Sequence, residues 1–180
     1  MPTLESELLE ILPRIVAALA CGVSIGINRD LHRKPAGFRT FGLVALGSAI
    51  VTIAAQRLAP GDPAAASRVA QGILTGIGFL GAGLIVRRER SHNVSGLTTA
   101  AAVWATAGLG VACGLGLYAL ALVGIAAALF VLIVGGPLER RLEHFLGTED
   151  DSPRNRAGGQ GAAGPGAAAP RPGPPGSPGE

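Results

Sequence analysis

The sequence predicts an all-α integral membrane protein, a bundle of about five transmembrane helices followed by a disordered C-terminal tail. Three observations predict it. Ala, Gly, Leu, Val and Ile fill most of the chain up to Leu138. No Asp, Glu, Lys or Arg occurs between Asn93 and Leu138, which leaves room for two passes at roughly 20 apolar residues each. The remaining charges collect at the ends of apolar runs, as the membrane-flanking pattern requires.

The first span is expected over about 11–27, with Pro13 and Arg14 in its first turn, where proline is tolerated. Ala18-Leu19-Ala20-Cys21 imitates a lipoprotein processing site, but Glu5, Glu7 and Glu10 stand where a signal peptide is basic, so the segment reads as a retained helix. The second span covers about 41–55 and the third 69–86, bounded by Arg68 and Arg87-Arg88. The fourth follows Ser95-Gly96, and the fifth ends near Gly135-Gly136-Pro137. Gly108, Gly110, Gly114 and Gly116 supply the turn between those two. A transmembrane domain over 8–138 is followed by a short cytoplasmic helix end over 139–147. The tail, 148–180, is Gly-, Pro- and Ala-rich and buries too little surface to offset the entropy of ordering.

Arg29, Arg33, Lys34 and Arg39 fall in the first loop, Arg87, Arg88 and Arg90 in the third, and Arg140 and Arg141 after the fifth span. Five spans put these groups on one side. The positive-inside rule makes that side cytoplasmic, with the N-terminus outside and the C-terminus inside a bacterial inner membrane.

The net charge of +3 comes from these flanks and forms no nucleic-acid patch. Cys21 and Cys113 lie in apolar segments and read as small buried hydrophobes. His32, His92 and His144 lack metal-ligand spacing, and Asp30 and Asp62 are the only carboxylates between Glu10 and Glu89. No nucleophile has a base and an orienting acid beside it. The chain is therefore expected to be no enzyme and to hold no metal or cofactor.

Gly76-Ile77-Gly78-Phe79-Leu80-Gly81 imitates a dinucleotide fingerprint, yet it lies inside an apolar helix with no strand before it. Gly72, Gly76, Gly78, Gly81 and Gly83 are better read as helix-packing glycines that let backbones approach, and Gly22 and Gly26 suit the same use. Polar groups gather at the cytoplasmic edge: Asn28, Arg29, Asp30, Arg39 and Thr40 around the first loop, and Asn93, Ser95, Thr98 and Thr99 at the start of span four. Ser95 is expected to cap that helix. Arg39 precedes an uninterrupted apolar run and is expected at the bundle edge, paired with Asp30 or the Thr98 and Thr99 hydroxyls.

The blocks Asn28-Arg29 to Ala36-Gly37-Phe38-Arg39-Thr40, Gly76 to Gly83, and Asn93-Val94-Ser95-Gly96-Leu97-Thr98-Thr99-Ala100-Ala101 with Trp104 resemble the MgtC/SapB family in order and spacing. The resemblance covers roughly 8–135 and implies five membrane helices with the orientation just given. It also implies a role in growth at low magnesium and, in pathogens, virulence. Regulation through helix contacts with itself or another membrane protein is the favoured reading, and a magnesium transporter or channel the alternative. Two departures stand out. Asn28-Arg29 replaces the family's usual Glu-Arg, and the family's Asp is set farther back, at Asp62 before Arg68-Val69-Ala70-Gln71. The resemblance would make this a short form without the C-terminal cytoplasmic regulatory domain of longer members.

Overall fold

The computed structural model describes residues 3–87 and 94–146. The expected tail, 148–180, and Asn93 lie outside the described residues. Five helices follow in order: α1 (Leu4–Leu31), α2 (Phe38–Leu58), α3 (Pro63–Leu84), α4 (Leu97–Gly114) and α5 (Tyr118–Leu146). Between α3 and α4 lies a ribbon of two strands, β1 (Val86–Arg87) and β2 (Val94–Ser95), paired antiparallel with Val86 opposite Ser95. One compact unit ends at Arg141; of the second, the described part is the last turn of α5.

Among the described residues, four helices are long and apolar enough to cross a membrane: Leu4–Leu31, Phe38–Leu58, Leu97–Gly114 and Tyr118–Leu138. α3 has comparable length, but Arg68, Gln71 and its glycines dilute its hydropathy. It packs against α4 and α2. At ~1.5 Å per residue its 22 residues extend about 33 Å, the thickness of a bilayer core.

The local signals explain the boundaries. Thr3 caps α1 by accepting from the Ser6 amide, and Asp62 caps α3 by accepting from Ala64 N–H at 2.9 Å, with Pro63 opening the helix. α3 therefore starts more than a turn before the expected span. The turn between α4 and α5 is also narrower than the glycine pattern suggested. Only Gly116, at φ 77°, shapes it, while Gly108, Gly110 and Gly114 remain helical. Pro137 does not end α5, because losing one carbonyl's donor leaves the rest of a 29-residue ladder intact.

The core is built around α2. Ala18, Cys21 and Ile25 of α1 meet Phe41, Ala45 and Ala49 of α2, and Val103, Leu109, Ala112 and Cys113 of α4 close the other side. Two pairs of glycines, each four residues apart, bring the backbones together. On α1, a Cβ added at Gly22 would stand 2.9 Å from Ala45 Cβ, and one at Gly26 would strike the Phe38 backbone. On α4, a Cβ at Gly110 would strike the Ala45 carbonyl oxygen, and one at Gly114 would stand 2.8 Å from Thr52 Cβ. These contacts fix direction: α1 runs antiparallel to α2, and α4 runs parallel to it.

The glycines of α3 behave otherwise. A Cβ at Gly72, Gly76, Gly78 or Gly83 would meet nothing within 4 Å, and only Gly81 has a neighbour, Ala100 Cβ at 3.7 Å. Within the described residues Gly72, Gly76, Gly78 and Gly83 pack no helix, and Gly81 faces α4 at ordinary van der Waals distance. Helix packing belongs to Gly22, Gly26, Gly110 and Gly114, of which the last two read as turn residues in the sequence because glycine marks turns and close helix contacts alike.

Candidate functional site

The first loop returns the chain from α1 to α2, and its polar residues divide between building that return and facing inward. Asp30 builds. Its Oδ2 accepts from Phe38 N–H at 2.9 Å, which caps α2 in place of Gly37, a residue without a side chain. A negative charge at a helix N-terminus is favourable there. Gly37 is required for this approach, because a Cβ on it would collide with the Asp30 carboxylate. Ala36 is buried beside it, and His32 Nδ1 lies 2.7 Å from the Asn28 carbonyl oxygen.

The inward-facing cation is Arg29. It is 3% exposed, and its Nη2 donates to Asn28 Oδ1 at 2.9 Å. Its Nε is buried without a hydrogen-bond partner. Desolvating a guanidinium beside a neutral amide is costly, so this is a polar group held in place by its surroundings. Arg39, which the sequence placed at the bundle edge, is exposed instead and stacks on a neighbouring ring, its guanidinium carbon 5.9 Å from the Phe38 centroid. The reason is helical position: Arg39 is the second residue of α2, and the inner face there is taken by Phe41, fully buried, and by the Phe38 backbone against Gly26.

At the start of α4 the expected group also separates. Thr99 is buried at 1% exposure, whereas Thr98 and Ser95 face outward. Ser95 is not the cap: it lies in β2, and Gly96 holds the N-cap position at φ 98°. The left-handed φ is what Gly96 is for, since the Leu84 carbonyl leaves no room for a side chain. Thr40 is exposed. Of the sequence-predicted residues, Asn28, Arg29 and Thr99 are turned inward; Asp30, Arg39, Thr40, Ser95 and Thr98 are not.

A second polar cluster, which sequence reasoning passed over, sits at the opposite end. Arg14 Nη1 donates to Gln56 Oε1 at 2.8 Å and to the Gly114 carbonyl at 3.0 Å, and Nη2 to Glu10 at 2.9 Å. Arg57 bridges Glu7 and Glu10 at 3.3 and 3.1 Å. The available signal was an arginine inside the apolar part of span one, which in a membrane asks for a partner. Among the described residues no group of three or more His, Cys, Asp or Glu is placed to hold a metal ion.

Comparison with known proteins places this architecture. The MgtC family model matches residues 15–141, most of the chain. The chain belongs to the MgtC family. SrpB of Synechococcus elongatus is 46% identical over 130 residues, covering 66% of this chain and 71% of that protein. MgtC of Salmonella typhimurium is 43% identical over 118 residues, covering 66% of this chain and 48% of that protein. YhiD of Escherichia coli K12, named a putative magnesium transporter, is 41% identical over 137 residues, covering 71% and 61%. The match thus spans about half of Salmonella MgtC. No solved structure matches the chain. Within this MgtC-family fold, the matched region holds the Arg29 cluster and both glycine pairs but leaves out the first turns of α1, and with them Glu7, Glu10 and Arg14.

Proposed function

We propose that this MgtC-family chain is a non-enzymatic inner-membrane protein that regulates a magnesium-linked process through helix contacts with itself or another membrane protein. The observation that carries the reading is the uncovered face of α3. Gln71, Gly72, Thr75, Gly76, Phe79 and Gly83 recur at three- and four-residue spacing, and all are exposed. No residue of α3 is buried. Lipid tails gain nothing from glycine grooves and cannot pair an amide, whereas a second helix can do both. The names of MgtC and YhiD supply the link to magnesium.

The runner-up, a magnesium transporter, draws on YhiD's name. The two are separated by a pair of measurements on a variant lacking Cys21 and Cys113 and carrying one cysteine at Gly72. Crosslinking in native membranes should yield a discrete adduct, and Gly76→Leu should abolish both the adduct and complementation of a low-magnesium growth defect. Magnesium uptake by proteoliposomes that persists in Gly76→Leu, with no adduct in membranes, would establish the transporter.

A further inference from the structure

We propose that Arg29 is the anchor of a binding site for a phosphate-type anion at the loop end of α1, independent of the α3 face. The ion pairs among the described residues assign Glu7 and Glu10 to Arg14 and Arg57, and Asp62 to Arg68. None of these carboxylates serves Arg29, and Asp30 Oδ2 accepts from the Phe38 amide. Among the described residues Arg29 is held by one neutral acceptor, Asn28 Oδ1, and keeps a buried Nε–H that none of them receives.

A guanidinium buried at 3% exposure with one neutral partner carries a full charge out of water. Such a charge is stable only when an anion or a set of acceptors completes it. The unused Nε–H lies on the side-on edge of the guanidinium, the edge that phosphates and carboxylates engage with paired hydrogen bonds. The position suits a phosphate. Arg29 stands two residues before the end of α1, where the apolar span gives way to the exposed residues Leu31, His32, Arg33 and Lys34. Arg33, Lys34 and Arg39, all exposed, bring positive charge to the same loop, and Leu31 and Phe38, 76% and 46% exposed, offer apolar surface there. An anionic phospholipid headgroup and a free phosphate share this chemistry.

Two substitutions read the site from opposite directions. Arg29→Gln removes the cation. Asn28→Glu keeps it and supplies a carboxylate where Asn28 Oδ1 already accepts, so the guanidinium is satisfied from within. The full chain, purified in a neutral detergent, is titrated with short-chain phosphatidylglycerol, phosphatidylcholine and inorganic phosphate, and bound species are counted by native mass spectrometry. Wild type should bind phosphatidylglycerol or inorganic phosphate more tightly than phosphatidylcholine, and whichever binds names the source. Either substitution should weaken that binding about tenfold or more, the scale of one charge-assisted contact. Arg33→Gln, at an exposed position of the loop, should lower it much less. Arg29→Gln that loses its fold leaves Asn28→Glu to give the answer. The proposal is overturned if wild type shows no preference for the anions, if Asn28→Glu binds as wild type does, or if Arg33→Gln costs as much as Asn28→Glu.

Discussion

Arg14 and Gly114 lie 100 residues apart in sequence, yet the Arg14 Nη1 donates to the Gly114 carbonyl oxygen at 3.0 Å. That carbonyl is one of the last of α4, which the helix itself cannot satisfy. A cation there also meets the negative end of the α4 dipole. The same nitrogen holds Gln56 of α2, so one side chain ties three helices at one end of the bundle.

Arg14→Ala should therefore destabilise the folded chain by about 1.5–3 kcal/mol, the worth of part-buried hydrogen bonds to a charged group. Arg14→Lys should recover part of this, since a single nitrogen cannot span the acceptors that Nη1 and Nη2 reach separately. Arg57→Ala should cost under about 1 kcal/mol, because its ion pairs are exposed. Thermal unfolding of the three variants in one detergent checks the order; equal losses for Arg14→Ala and Arg57→Ala would remove the clamp from the account.

The two sets of glycines should part under substitution by alanine. Gly110→Ala and Gly114→Ala force a methyl into the α2 backbone and should cost about 1–3 kcal/mol each. Gly72→Ala and Gly83→Ala meet open space and should leave the single chain unchanged or stabilise it by about 0.5–1 kcal/mol, the propensity gain of alanine over glycine in a helix. Any loss of function at Gly72 or Gly83 with unchanged unfolding temperature then points to the α3 face acting outside the chain. Unfolding and growth complementation are measured on the same membranes.

Hydropathy and the placement of charge made the five helices legible, because both follow from the bilayer alone. What they could not reveal is which side of each helix faces inward. Arg29 and Arg39 show why. Both are arginines at the end of an apolar run, yet Arg29 turns inward near the end of α1 while Arg39 turns outward at the start of α2. The choice depends on Gly26 letting the Phe38 backbone approach, a contact whose glycine is legible in the sequence but whose partner is not. Gly110 and Gly114 were obscured for a related reason. Glycine permits a turn and a close helix contact equally, and only the partner surface of Ala45, Ser48 and Ala49 distinguishes them.

The inward turn of Arg29 sets the order of arginine effects. Arg29→Lys keeps the charge but loses the planar fork and the Nη2 bond to Asn28, so it should fail to complement a low-magnesium growth defect. Arg39→Lys should complement well, because an exposed ammonium over the Phe38 ring retains most of the contact. Membrane levels are checked by blot. Full complementation by Arg29→Lys beside failure of Arg39→Lys would return the site to Arg39.

Orientation gives the last prediction. α1 and α2 are antiparallel and α4 is parallel to α2, so the α1–α2 loop and the start of α4 share one end of the bundle. The close approach of Gly96 to the Leu84 carbonyl brings the end of α3 there as well. That end carries Arg29, Arg33, Lys34 and Arg39, whereas Arg14, Arg57 and Arg68 at the other end are each paired with Glu7, Glu10 or Asp62. Lysine and arginine in short loops are retained on the cytoplasmic side. The N-terminus should then lie outside and the end of α5 in the cytoplasm. Alkaline phosphatase fused after Leu146 should be inactive and a fluorescent protein at the same position bright, with the reverse pair after the α2–α3 turn at Gly61. Neutralising Arg33, Lys34 and Arg39 together should raise phosphatase activity at Leu146 by allowing the inverted form. An active phosphatase after Leu146 in the unaltered chain would reverse the assignment, and with it the side from which Arg29 is reached.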